Sequence, residues 1–143
     1  MDWTLLIIKP DAVAAGRIGE ILAMVTQAGL RPMSMEMRYL AEAEVRAFYR
    51  VHQGKPFYEP LMTFMTSGPV VLCALTGDDA VTALRALVGV TDPPHAAPGT
   101  VRARFGTTTQ KNAVHASDSP ENGVAEVSFF FPAACLLPGR LPA

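Results

Sequence analysis

The spacing of hydrophobic and polar positions divides the chain into segments with distinct secondary-structure signatures. Residues 3–8 form a continuous apolar run that stops at Lys9-Pro10-Asp11, which predicts a fully buried strand opening into a loop, with Lys9 at the strand's end. Within residues 16–29, Ile18, Ile21, Leu22 and Val25 fall at i, i+3, i+4 and i+7, predicting an amphipathic helix with Gly29 as its C-terminal cap. Met33, Met35, Met37 and Tyr39 then alternate with Ser34, Glu36 and Arg38, the period of a strand with one covered face. The methionines are therefore assigned to core or interface.

Helical spacing returns at residues 42–52 and again at 58–65, where Phe57, Leu61, Phe64 and Met65 form the apolar stripe and Gly68-Pro69 breaks the pattern. Residues 69–75 are apolar and β-rich. Gly77-Asp78-Asp79 supplies a turn and an N-cap for a helix over 80–88, which Gly89 ends. Residues 91–109 hold Pro93, Pro94, Pro98, Gly99 and Gly106 among several threonines, so a long, mostly irregular loop is expected, and loops of that length are usually functional or disordered. A last short strand fits residues 112–116. Ser119-Pro120 is an N-cap with proline at the first helical position, and Val124, Val127 and Phe131 give a closing helix. The resulting order predicts an α+β fold, a ferredoxin-like β-α-β-β-α-β sandwich. It has a four-stranded antiparallel sheet with helices on one face, plus the long irregular loop. No repeat and no linker divides the chain, so residues 1–143 are expected to form a single domain with a short, proline-containing tail over 132–143.

Composition narrows the function classes. At 143 residues the chain can bury roughly 70% of the surface its unfolded form exposes. Hydrophobic residues make up 50% and charged residues 17%, which excludes a disordered polyelectrolyte. The net charge of −1 supplies no large basic footprint, so nucleic acid is not expected as the main partner. Any polyanion bound must be small and met by a few local cations. Cys73 and Cys135 form neither a disulfide framework nor a metal-ligand pattern, and the first apolar run is too short for a signal segment or a membrane span. A cytoplasmic protein without a membrane partner is expected. The apolar surplus is either core or subunit interface.

Candidate chemistry starts with the histidines. Taken singly, His52, His95 and His115 each read as structural or surface residues. His115 stands apart because it lies on the last predicted strand, beside small and hydroxyl residues and before a helix N-terminus, with Glu126 two turns into that helix. A carboxylate reaching one imidazole nitrogen fixes the tautomer and leaves the other as a nucleophile. The Gly-rich phosphate-cradling motifs G-x-x-x-x-G-K-[ST] and G-x-G-x-x-G are absent, so a nucleotide would have to be held otherwise. Lys9, Arg85 and Arg102 are isolated cations in apolar surroundings, each a surface charge by default. No zinc spacing and no carboxylate cage is present, and a divalent ion would arrive with a substrate's phosphates.

Six segments, in this order and spacing, resemble the nucleoside diphosphate kinases. They are Ile8-Lys9-Pro10-Asp11-Ala12-Val13; Phe48-Tyr49 with Gly54-Lys55-Pro56-Phe57-Tyr58; Met65-Thr66-Ser67-Gly68-Pro69-Val70; Gly89-Val90-Thr91-Asp92-Pro93; Pro98-Gly99-Thr100-Val101-Arg102; and Asn112-Ala113-Val114-His115-Ala116-Ser117-Asp118-Ser119. The resemblance spans about residues 3–131. It implies a ping-pong phosphotransferase that moves the γ-phosphoryl of a nucleoside triphosphate, typically ATP, onto His115 and then onto a nucleoside diphosphate, with broad base specificity. Position by position, Glu126 resembles the glutamate that orients the histidine and Ser117 the hydroxyl beside it. Lys9, Tyr49, Arg85, Thr91, Arg102 and Asn112 resemble the residues that hold phosphates and ribose, and Phe57 the aromatic that stacks on the base. Mg²⁺ would be held mainly through the nucleotide's phosphates. The resemblance also implies a homo-oligomer, and Pro98 favours hexamer over tetramer. The chain departs from the family's pattern at Ala116, where glycine is usual, at Ala103-Arg104 after the loop arginine, and in the short tail over 132–143. A methyl at 116 is tolerable only if the backbone there does not need positive φ, and Arg104 would add a cation near the site or at an interface.

Overall fold

Two strands are buried on both faces, and the rest of the fold is laid around them. The computed structural model describes residues 2–132; the tail expected over 132–143, with Cys135, lies outside the described residues except for Pro132. β1 (Asp2–Ile8) and β3 (Val70–Gly77) are the continuous apolar runs, and they pair antiparallel with Leu5 opposite Ala74 and Ile8 opposite Val71. β2 (Arg31–Arg38) flanks β3, and β4 (Val114–Ala116) flanks β1, giving the antiparallel order β2-β3-β1-β4. This is the predicted ferredoxin-like α+β sheet.

Alternation in β1 sends Trp3, Leu5 and Ile7 to one face and Leu6 and Ile8 to the other, each into its own buried cluster. Helices therefore cover both faces, not one as expected. α2 (Ile18–Gln27) and α5 (Ala80–Val88), the two crossover helices, contribute Ile21, Val25, Leu84 and Val88 to the cluster around Leu6 and Ile8. The helical insert, α3 (Glu42–Phe48) and α4 (Tyr58–Met65), packs with α7 (Pro120–Phe130) on the Trp3, Leu5 and Ile7 side. The sequence order hides this because the insert and the last helix lie outside the βαβ units.

Local signals mostly match the structure. α2 ends in a complete Schellman arrangement, with the N–H groups of Gly29 and Leu30 donating to the carbonyls of Thr26 and Val25. Ser119 caps α7, its hydroxyl accepting the Asn122 N–H at 3.1 Å, a contact worth about 1 kcal/mol. α7 comes so close to β1 that a Cβ on Gly123 would overlap the Trp3 carbonyl oxygen. Other expectations need correcting. Lys9-Pro10-Asp11 does not open a loop but starts α1 (Pro10–Ala14), with Pro10 at the first position. Asp79 stands at the N-cap of α5 with φ +49 and makes no side-chain cap bond. The long segment is less irregular than expected, since it holds a 3-10 turn (Pro93–His95) and α6 (Val101–Phe105), capped by Thr100. On β2 only Met33 is buried; Met35 and Met37 are 52% and 56% exposed, and Tyr39 just after the strand is 68% exposed. β2 is an edge strand, and nothing among the described residues covers that part of its face.

Candidate active site

Segments distant in sequence converge on one cleft of about 610 Å³. Its wall includes Lys9 after β1, Tyr49 and Phe57 around the α3–α4 connection, Arg85 on α5, Thr91 and Asn112 in loops, Arg102 on α6, His115 on β4 and Glu126 on α7. These are the site residues expected from the sequence, with one exception. Ser117 is fully buried and does not line the cleft.

His115 is carried on a short edge strand opposite Ile7 of β1. Its Nε2 lies 2.7 Å from Glu126 Oε1, so the imidazole N–H donates to the carboxylate and Nδ1 keeps its lone pair. Nδ1 has no hydrogen-bond partner among the described residues. Ser117 acts from behind: its hydroxyl donates to the same Glu126 oxygen at 2.8 Å and accepts the Leu5 N–H of β1 at 3.0 Å. The carboxylate is thereby tied to the sheet as well as to its helix. The Phe48 ring meets His115 edge-on with centroids 5.2 Å apart, limiting how the imidazole can turn.

The chain enters β4 through a strained turn. Ala113 has φ +76, and the Val114 N–H donates to the Asn112 carbonyl at 2.9 Å, the three-residue γ-turn that costs an ordinary side chain about 1–3 kcal/mol. The segment around Lys9 grips it. The Lys9 N–H donates to the Ala113 carbonyl at 2.8 Å, Asp11 Oδ2 accepts the Ala113 N–H at 3.1 Å, and Lys9 Nζ donates to Asn112 Oδ1 at 2.8 Å. Asn112 Nδ2 reaches on to the Thr91 carbonyl at 3.1 Å. Burial pushes the Asp11 carboxyl above its usual range, an effect partly offset by the Ala113 N–H. Ala116 is not among the positive-φ residues, so its methyl group is accommodated without backbone strain.

Three cations face the cleft against two carboxylates, Asp118 and Glu126. Burial lowers Lys9 to about 8, with the positive charge of Arg102 adding to the effect. Arg102 donates from Nη1 to the Gly89 carbonyl and from Nη2 to the Val114 carbonyl, both at 2.9 Å; burial and then Arg85 bring it down to about 10. The Gly89 carbonyl depends on glycine, because φ is +91 and a Cβ would stand 2.7 Å from the Thr100 hydroxyl. Arg85 reaches the Ala116 carbonyl at 3.4 Å. Two buried polar atoms of the wall, Tyr49 Oη and Arg102 Nε, have no partner among the described residues, a costly state that a bound polar group would relieve. Burial and the Glu126 charge also raise the Tyr49 hydroxyl, keeping it a neutral donor.

Phe57, 46% exposed, presents a ring on which a planar group can stack. Phe48 and His52 were missed from the sequence although both line the cleft; the Tyr49-to-Phe57 aromatic spacing could have flagged His52, which stacks on Tyr49 and meets Phe57 edge-on. Arg104 does not reach the cleft. It sits 3.7 Å from Glu20 and over the Phe105 ring. No group of three or more His, Cys, Asp or Glu residues fit to hold a metal occurs among the described residues. The donor set instead suits an ion that brings its own oxygen ligands on a polyanion. The cleft can thus neutralise a small polyanion, stack a planar group and offer it a nucleophilic nitrogen.

Comparison with known proteins points the same way. The sequence model of a family described as "Nucleoside diphosphate kinase" matches residues 2–135. A nucleoside diphosphate kinase of Anaeromyxobacter sp. (strain Fw109-5) is 51% identical over 131 residues, covering 92% of this chain and 90% of that protein. One from Roseiflexus castenholzii is 46% identical over 140 residues, covering 98% and 94%. The crystal structure of the Aquifex aeolicus nucleoside diphosphate kinase superposes with a TM-score of 0.93 at 41% identity, covering 95% of this chain and 99% of that one. The Halobacterium salinarum nucleoside diphosphate kinase in complex with CDP gives 0.93 at 34% identity, with 97% and 93% covered.

Burial leaves Lys9 a cleft cation whose charge is lost in mild alkali. The protonated lysine is the form that attracts phosphate, and it is lost as pH rises through about 8. Affinity for a nucleoside diphosphate, measured by calorimetry, should fall about tenfold between about pH 7 and pH 9, following the protonated fraction of one group. In Lys9→Met the slope over that window should vanish; a slope that survives there assigns the effect to another group.

Proposed function

The chain belongs to the nucleoside diphosphate kinase family, which are phosphotransferases, and from that premise we propose that His115 Nδ1 carries the transferred phosphoryl group between two nucleotides. The observation that carries this reading is the Nε2-to-Glu126 hydrogen bond in a cleft lined by Lys9, Arg85 and Arg102. In the first half-reaction the Nδ1 lone pair forms a bond to the γ-phosphorus of a nucleoside triphosphate, typically ATP. The bond from that phosphorus to the bridging oxygen breaks, and the electron pair leaves with the nucleoside diphosphate. In the second, a terminal oxygen of another nucleoside diphosphate takes the phosphoryl group and the Nδ1 lone pair is restored. The Nε2 proton stays on the ring throughout, and Glu126, held by Ser117, offsets the positive charge that N-phosphorylation places on the imidazole.

Most of the catalysis is positioning and charge neutralisation. Arg85, Arg102 and Thr91 meet the β- and γ-phosphates, and Tyr49 donates from its buried hydroxyl. Lys9 and Asn112, coupled to each other, serve ribose hydroxyls and phosphate oxygens. Phe57 stacks on the base and reads its π-face, which every base has, so base specificity is broad. Mg²⁺ held through the nucleotide's phosphates would supply further neutralisation of the β,γ charge, and Asp118 is a carboxylate of the wall that could help hold it. We assign the functional unit to a single domain over residues 1–143. The compartment is taken as cytoplasmic, and no helix among the described residues is long and apolar enough to cross a membrane. The exposed Met35 and Met37 on edge strand β2, with Tyr39 just after it, support a homo-oligomer of this chain, and Pro98 favours hexamer over tetramer. A net charge of −1 argues against nucleic acid as a main partner.

Incubation with γ-labelled ATP should give an acid-labile, base-stable labelled protein, and His115→Ala should abolish the label. The isolated labelled protein should pass it to GDP and CDP at rates within about tenfold of each other, since stacking selects the base. Parental GTP formation by His115→Ala would overturn the mechanism, and strict preference for one base would overturn the stacking argument. Light scattering should give the mass of a hexamer, and Met37→Glu should reduce it; a monomeric parent protein would refute the assembly.

A further inference from the structure

The strained turn ahead of His115 is held by a carboxylate that lies outside the nucleotide cleft. Asp11 sits in the first turn of α1 and borders a neighbouring groove with Lys111 and Phe64, which His115 does not line. It is not among the residues of the nucleotide cleft. Beyond α1, its hydrogen bond among the described residues is Oδ2 to the Ala113 N–H at 3.1 Å. Ala113 itself is fully buried.

Three bonds fasten residues 112 and 113 to the Lys9 segment, and they do different work. The Lys9 N–H continues the β1–β4 pairing by one residue and would form with either orientation of the next peptide. The Lys9 ammonium fixes the Asn112 side chain. Only Asp11 binds the Ala113 N–H, the donor whose direction is set by the Asn112–Ala113 peptide plane. An alanine relaxes from φ +76 by rotating that plane. Rotation would bury the N–H without an acceptor as long as Asp11 offers one in the present orientation. From Ala113 it is two residues to His115, along a strand that pairs with β1 over only Leu6, Ile7 and Ile8. So short a strand has little pairing of its own with which to resist a shift at its start.

Resting on the reading of His115 as the phosphoryl acceptor, we propose that Asp11 is a positioning residue for the transfer: by holding the Ala113 turn it sets the placement of His115 Nδ1 against the phosphorus, without touching the nucleotide. Its loss acts on the chemical step and leaves ground-state binding intact. Displacements of about an ångström at a reacting atom cost on the order of a hundredfold in rate, so even a partial relaxation is measurable.

The test is single-turnover phosphorylation of His115 by γ-labelled ATP in the full-length protein, with nucleotide dissociation constants and thermal melts measured in parallel. Asp11→Ala should slow phosphorylation by about tenfold or more, with nucleotide dissociation constants within about twofold of the parent. Asp11→Asn, whose amide oxygen can accept the same N–H, should stay within about threefold of the parent. Ala113→Gly should raise the rate of the Asp11→Ala protein at least about threefold, because glycine adopts φ +76 without a restraint, yet give no gain in the parent. Should Asp11→Ala be recovered unfolded, Asp11→Ser, too short to reach the N–H, takes its place with the same expectation. The proposal is overturned by a parental phosphorylation rate in Asp11→Ala or Asp11→Ser, by weakened nucleotide binding at an unchanged rate, or by no coupling to Ala113→Gly. Absence of label on the parent protein would instead overturn the phosphohistidine reading on which this one rests.

Discussion

The hydrogen bond from His115 Nε2 to Glu126 joins the last two described elements of the chain, a three-residue edge strand and the helix after it. Neither could hold an imidazole in place alone. β4 is too short to be rigid by its own pairing, and Glu126 stands on a helix whose position depends on how it lies over β1. Gly123 lets α7 approach the Trp3 carbonyl, and Ser117 ties Glu126 to the Leu5 N–H of β1. The central strand is the common reference for both partners. Its burial on both faces, from Leu5 to Ile8, makes it a close-packed reference.

The rest of the cleft follows from the same arrangement. Antiparallel pairing of β1 with β4 brings the end of β1, and with it Lys9, beside the start of β4. That adjacency lets one short segment grip Asn112 and Ala113 from three directions. Arg102, from α6, spans the Gly89 and Val114 carbonyls, so it braces the end of α5 against β4 while leaving Nε without a partner among the described residues. Groups that would be costly in a closed core are tolerable at a site built to receive an anion. The low charge of the chain and its capacity for a polyanionic ligand are thus compatible, because the cations that matter are few and concentrated in one place, Lys9 and Arg102 buried and Arg85 exposed.

Much of this was legible in the sequence. Apolar runs marked β1 and β3, the i, i+3, i+4 spacing marked α2, and Ser119-Pro120 marked the start of α7. His115 and Glu126 were readable as a pair because strand and helix end close together in the chain. What periodicity does not encode was missed. Which face each helix covers depends on crossovers outside the local window, so α3, α4 and α7 were not assigned to their own side of the sheet. Met35, Met37 and Tyr39 have the alternation of a covered face, yet nothing among the described residues covers them; the pattern of an interface and that of a core are the same pattern. Ser117 was recognised as part of the site but not as a support behind it, since a hydroxyl's partner cannot be read from its neighbours. The positive φ of Ala113 left no mark at all, because alanine carries no conformational signature of its own.

The central claim is about one nitrogen. If Glu126 holds the proton of Nε2, the phosphoryl group must sit on Nδ1, and the two phosphohistidine isomers have distinct nitrogen shifts and proton couplings. Protein labelled with ¹⁵N at histidine, phosphorylated with ATP and observed by ¹H–¹⁵N and ³¹P NMR at alkaline pH, identifies the isomer directly. Phosphorus attached to Nδ1 of His115, with Nε2 still bearing hydrogen, is the predicted result. Phosphorus on Nε2, or on a residue other than His115, would contradict the account.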